Sequence, residues 1–149
     1  MLHPLLLGLH LLAAVAWVGG LTFNLFVALP AARQIHGPGR EFHRFLGTEG
    51  ARIARALPPL MALLLATGAA LLALSPPVGT DPVLNIAKVA LFGMMVALYL
   101  RGARSIWPRM VFALDGELPA LQERYWRNAA AMWGCGVAAV FLGAFARYA

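Results

Sequence analysis

A chain of 149 residues that is 61% hydrophobic and 12% charged, with a net charge of +6 and a mean hydropathy of +0.74, has too little polar surface for a water-soluble domain, where about a quarter of residues are charged. Its arginines gather between apolar stretches without the interleaved aromatics of a nucleic-acid face, so the charge reads as membrane topology and nucleic acid is excluded as a partner. A single cysteine, Cys135, excludes an intrachain disulfide and a thiolate zinc or iron–sulfur centre.

Four apolar stretches each approach the roughly 20 residues that cross a hydrocarbon core about 30 Å thick. The expected fold is all-α and integral to the membrane. It is one domain over 1–149, a four-helix transmembrane bundle with an amphipathic interfacial helix between helices one and two, and the lipid bilayer is its partner.

The first helix is predicted from Leu5 to Leu29, ending at Pro30, which lacks the N–H that a helix needs. Its start carries no small-residue cleavage site and reads as a retained helix rather than a signal peptide. A loop rich in Gly, Pro and Arg follows. Over Glu41 to Ala56, Phe42, Phe45, Leu46 and Ile53 alternate with Arg44, Arg52 and Arg55, the pattern of a helix lying on the lipid surface with its basic face toward anionic headgroups. Helix two is expected over Leu57–Leu74, with Pro58 and Pro59 in its first turn. Helix three runs over Val83–Leu100, and helix four over Asn128–Ala146. The loop between them holds Arg101, Arg104, Arg109, Arg124 and Arg127.

Loops one and three are rich in arginine and loop two, Ser75 to Pro82, has none, so the positive-inside rule puts both termini outside. In a bacterium this is a multi-pass inner-membrane protein with periplasmic N- and C-termini.

Ionisable and amide side chains inside the spans are the first functional candidates, because hydrocarbon offers them no water. His3, His10, Trp17 and Asn24 recur every seven residues, nearly two turns, and so form one stripe, with Gly20 close to it, that is expected to face the bundle. His10 lies about 7 to 10 Å inside the outer boundary at 1.5 Å per residue, and Lys88 on helix three sits at a similar depth. An imidazole and an amine can therefore converge in one outward-facing pocket. Plainer readings stand beside this one. Lys88 can snorkel to the interface, His10 can be a neutral imidazole bonded across helices, and His3 can sit among headgroups.

His36 and His43 flank Gly37–Gly39 and read as solvated. Met94, Met95, Met132 and Cys135 are soft groups suited to Cu(I), or else packing residues. Glu41, Glu49, Asp81, Asp115, Glu117 and Glu123 fall in predicted loops. With no nucleophile beside a base, no paired carboxylates and no phosphate loop, hydrolytic chemistry has no candidate, and metal, haem or tetrapyrrole chemistry is what remains.

The stretch HLLAAVAWVGGLTFNLFVALP, His10 to Pro30, resembles the first signature helix of the copper-resistance CopD domain: a histidine, then Trp-x-Gly-Gly, then apolar residues ending in proline. The ATG at Ala66–Gly68 and LNIAKVALFGMMVALYLRGAR from Leu84 resemble its later helices, so the likeness covers most of the chain. It implies copper binding or transport at the periplasmic face, with His10 and His3 as nitrogen ligands and Met95 or Met132 offering sulfur. A full CopD protein is usually larger, with this domain as its C-terminal part.

The related HemJ group, four-helix proteins associated with protoporphyrinogen oxidation and haem b, is similar at His10, Trp17, Gly20, Leu21 and Lys88. That likeness implies haem b with His10 as axial ligand and Lys88 near a propionate or the substrate. Where that group carries Leu-Pro-Arg after the tryptophan, this chain reads Thr22 to Phe26 and lacks the arginine. A third reading is a small non-catalytic subunit, in a homo-oligomer or a larger membrane complex, associating through Gly- and Ala-rich faces of helices two and four.

Overall fold

The computed structural model describes residues 2–37, 39–74 and 82–145. Among them all regular structure is helical, in four long rods: α1 (Leu2–His36), α2 (Arg40–Leu74), α3 (Pro82–Val111) and α4 (Leu118–Phe145). Each is long and apolar enough to cross a bilayer, and the chain is a multi-pass membrane protein. Residues near the α1–α2 turn pack together, as do residues far from it, so the two helices run antiparallel. α1 also packs on α4, and α4 on α3, which completes an up-and-down bundle.

The rods are longer than the sequence suggests. At 1.5 Å per residue a 35-residue helix is about 52 Å long, well over the hydrocarbon thickness, so the bundle stands clear of the apolar layer at its arginine-rich end. The stretch expected to lie on lipid as a separate helix is instead continuous with the second span. Its apolar side, Phe42 and Leu46, is buried against Leu25, Leu29 and Ala32 of α1 and Ile106 and Met110 of α3. The reason is that α1 and α3 also continue past the bilayer and offer that face a dry partner.

Pro30, at which the sequence reading ended helix one, and Pro58 and Pro59, with which it began helix two, are carried inside helices, and so is Pro108. Pro30 and Pro108 follow the same device. A π-helical turn, Asn24–Ala28 in α1 and Gly102–Ile106 in α3, precedes each proline by one intervening residue, and the Leu29 and Trp107 N–H groups bond back five residues to Asn24 and Gly102. The wider turn absorbs the ring that would otherwise crowd the preceding turn, so the helix passes through. α1 therefore ends at His36 rather than Leu29, and α3 at Val111 rather than Leu100. The predicted third loop shrinks to Phe112–Glu117, and α4 starts ten residues earlier than its apolar run. Glu41, Glu49 and Glu123 accordingly lie in helices, not loops; Asp81 and Ala146 fall outside the described residues.

Pro58 and Pro59 sit mid-helix in α2. Pro58 has no N–H to give the Ala54 carbonyl four residues back, and the Tyr99 hydroxyl of α3 donates to that oxygen at 3.2 Å. Tyr99→Phe should lower stability by about 1 kcal/mol, the usual net contribution of one hydrogen bond. Thermal unfolding in detergent checks this, and an unchanged midpoint would refute the assignment.

The membrane-embedded core is built on Trp17, which is 2% exposed, with Ala13, Leu21, Met61, Leu64, Met95 and Met132 around it. Helices in lipid associate by packing rather than by a hydrophobic drive, so close approach matters. Gly136 of α4 provides it, since a Cβ there would stand 3.2 Å from the Trp17 ring. Gly20 is exposed with open space at its Cα, so it lies off the buried stripe.

Candidate functional site

The seven-residue stripe on α1 enters the bundle at one end and leaves it at the other. Trp17 and Asn24 are buried, His10 is half-buried, and His3 is exposed two turns farther out, about 10 Å along the axis. The structure thus keeps His10 with Trp17 and Asn24 on one face and sets His3 apart from the bundle.

His10 is held by α2. Its Nδ1 lies 2.8 Å from the Thr67 hydroxyl, and that hydroxyl is 2.6 Å from the Leu63 carbonyl. A carbonyl only accepts and threonine has one hydroxyl proton, so Thr67 donates to Leu63 and accepts from His10. The proton count therefore places the imidazole hydrogen on Nδ1. The Leu64 carbonyl also lies within hydrogen-bonding reach of the ring, and with the hydrogen on Nδ1 the neutral imidazole carries its lone pair on Nε2. Gly68 completes the cradle: a Cβ at that position would approach the His10 ring to 3.3 Å, so glycine lets the ring lie against α2.

Lys88, half-buried on α3, is near enough for its charge to act on the imidazole. The two groups that share a depth in the sequence reading thus lie within electrostatic range of one another. Among the described residues no three His, Cys, Asp or Glu side chains converge on a point that could hold a metal ion. Met95 and Met132 lie in the Trp17 core together with Met61, and the Met132 sulfur faces the Asn128 amide at 3.9 Å.

Thr67 is the candidate-site residue that residue-by-residue reading passes over. Its signal was the ATG at Ala66–Gly68: a hydroxyl beside a glycine inside an apolar run. Toward the arginine-rich end Asn24, a candidate of the stripe, has two polar neighbours, Tyr125 and Glu49, that the sequence reading did not connect with it. The Asn24 amide reaches the Tyr125 phenol, and the Glu49 carboxylate acts on the same phenol. Among the described residues, one Glu49 oxygen and the Asn24 carbonyl oxygen are buried without hydrogen-bond partners, as is the Trp17 N–H. Nothing in the spacing of Asn24, Glu49 and Tyr125 announces this cluster, because each comes from a different helix.

His36 is exposed, 3.6 Å from Glu41 and stacked on Phe45. His43 differs from its expected solvated state, being half-buried with Nδ1 out of contact with solvent and unpartnered. Compared with family models, curated proteins and solved structures, the chain matches none.

Proposed function

We propose that this chain is a haem-binding membrane redox protein of the HemJ kind, in which His10 Nε2 would hold the haem iron and the Lys88 ammonium would meet one of its carboxylates. The observation that carries the reading is the His10–Thr67–Leu63 chain, which ties up Nδ1–H and leaves the Nε2 lone pair. A ligating histidine commonly has its other N–H held this way, which fixes the tautomer and the ring orientation. Lys88 argues for a tetrapyrrole over a bare cation, since an ammonium repels a metal ion but pairs with a carboxylate. Haem supplies one-electron chemistry at its iron when bound. The residues' part is to hold and orient it: Thr67 sets the imidazole, Gly68 admits the ring, and Lys88 neutralises an acid that would otherwise be desolvated. With the arginine-rich end cytoplasmic by the positive-inside rule, His10 lies in the outer half of an inner-membrane protein whose termini are periplasmic.

One observation favours the CopD-like alternative, in which the chain binds or moves copper. Met61, Met95 and Met132 share the buried cluster under His10, and thioethers select Cu(I). The deciding experiment is an absorption spectrum of the detergent-purified protein with iron and copper quantified on the same sample. A Soret band with stoichiometric iron is the expected result. Copper without haem would move the assignment to copper handling, and neither would leave a small subunit of a larger membrane complex.

A further inference from the structure

At the arginine-rich end, on the flank between α3 and α4, a small cleft of about 80 Å³ is lined by Arg101, Ser105, Ile106, Arg109, Leu121 and Arg124. Three guanidinium groups line it, and no carboxylate does. Among the described residues none of the three arginines forms an ion pair. The ion pairs found are His36–Glu41 and Arg40–Asp115. Like charges repel, so three unpaired cations around one cleft are a poor arrangement unless an anion joins them.

The cleft follows from the sequence. Arg101, Ser105 and Arg109 recur every four residues and so share one side of α3. The π-helical turn Gly102–Ile106 widens the helix at the same place, and Ile106 and Leu121 supply an apolar floor. Guanidinium forks with a hydroxyl fit the oxygens of a phosphate group. Met94 lies seven residues before Arg101 on the same side of α3 and is 53% exposed, with Ala90 and Ala97 exposed beside it. A cationic cleft therefore stands at the head of an exposed apolar strip, which matches the two halves of an amphiphile.

We propose that Arg101, Arg109, Arg124 and the Ser105 hydroxyl form a phosphate site, occupied by the headgroup of an anionic phospholipid whose chains run along the Met94 side of α3. Basic clefts between transmembrane helices at the cytoplasmic face bind such headgroups, and each arginine that meets the headgroup in the cleft contributes about a fivefold factor in affinity. The site is separate from His10 and does not depend on what binds there.

The test is native mass spectrometry of the full chain released from detergent containing phosphatidylglycerol, with inorganic phosphate as a second probe. One retained phosphatidylglycerol is expected, with retention falling about fivefold in Arg124→Gln and in Arg109→Gln. Arg104→Gln removes the same charge outside the cleft and should retain lipid as the unaltered chain does. Arg109→Lys keeps the charge but loses the fork, and should fall between. Equal loss in Arg104→Gln would overturn the proposal, since the arginines would then act only as a diffuse basic surface. Retention unaltered in Arg109→Gln and Arg124→Gln would overturn it too. Thermal protection by inorganic phosphate without lipid retention, lost in Arg124→Gln, would support the phosphate site and assign it to a soluble phosphate instead.

Discussion

His10→Ala is expected to abolish the Soret band and bound iron of the purified protein, and Thr67→Val to lower ligand affinity by about 10- to 100-fold while leaving the helices in place. The second variant is the more informative. Valine matches the shape of threonine but cannot accept the Nδ1 proton, so the imidazole is free to change tautomer and rotate. Losing that orientation weakens the ligand without removing it. Thr67→Ser, which restores the hydroxyl, should recover most of the affinity. Haem titration followed by absorbance, with circular dichroism on the same samples, measures both effects. If Thr67→Val bound as tightly as the unaltered chain, the Thr67 bond would be packing and the orienting role assigned to it would be wrong.

The largest effect on stability is expected at Gly50. A Cβ placed there would stand 2.8 and 2.9 Å from two carbons of the Trp107 ring, inside any tolerable contact. α2 and α3 meet here only because Gly50 has no side chain. Gly50→Ala gains about 1 kcal/mol in helix propensity, which offsets part of the clash. Gly50→Leu cannot be accommodated this way and should cost about 3 kcal/mol. Trp107→Ala opens the space that the leucine needs, so the double variant should be more stable than the two single losses predict. Unfolding in a denaturing-detergent titration gives the three values. Simple additivity would mean that the two positions are not in contact.

Four transmembrane helices were legible in the sequence because lipid makes one demand that composition records directly. Each crossing needs an unbroken apolar stretch, since hydrocarbon satisfies no backbone group. The seven-residue stripe from His3 to Asn24 was legible for a related reason: helical period places residues on a face whatever surrounds them. That Trp17 and Asn24 are buried while His3 is not depended on which helices cover each level. The helix ends were misjudged at Pro30 and Pro58, and α3 runs on through Pro108 as well, because proline's cost is local but its relief need not be. Two were relieved by a π-helical turn, and Pro58 left a carbonyl that Tyr99 of another helix satisfies.

The candidate site divides in the same way. The sequence by itself determined that one imidazole and one ammonium lie at comparable depth in the membrane, since depth follows from position along a span. Only the tertiary structure decided that Thr67 accepts the His10 proton, that Gly68 admits its ring, and that Asn24, Tyr125 and Glu49 meet. Those contacts join residues up to about a hundred positions apart on different helices. Their geometry is set by how α1, α2 and α4 are rotated against one another, and apolar periodicity leaves that rotation weakly specified when both lipid and neighbouring helices accept the same side chains.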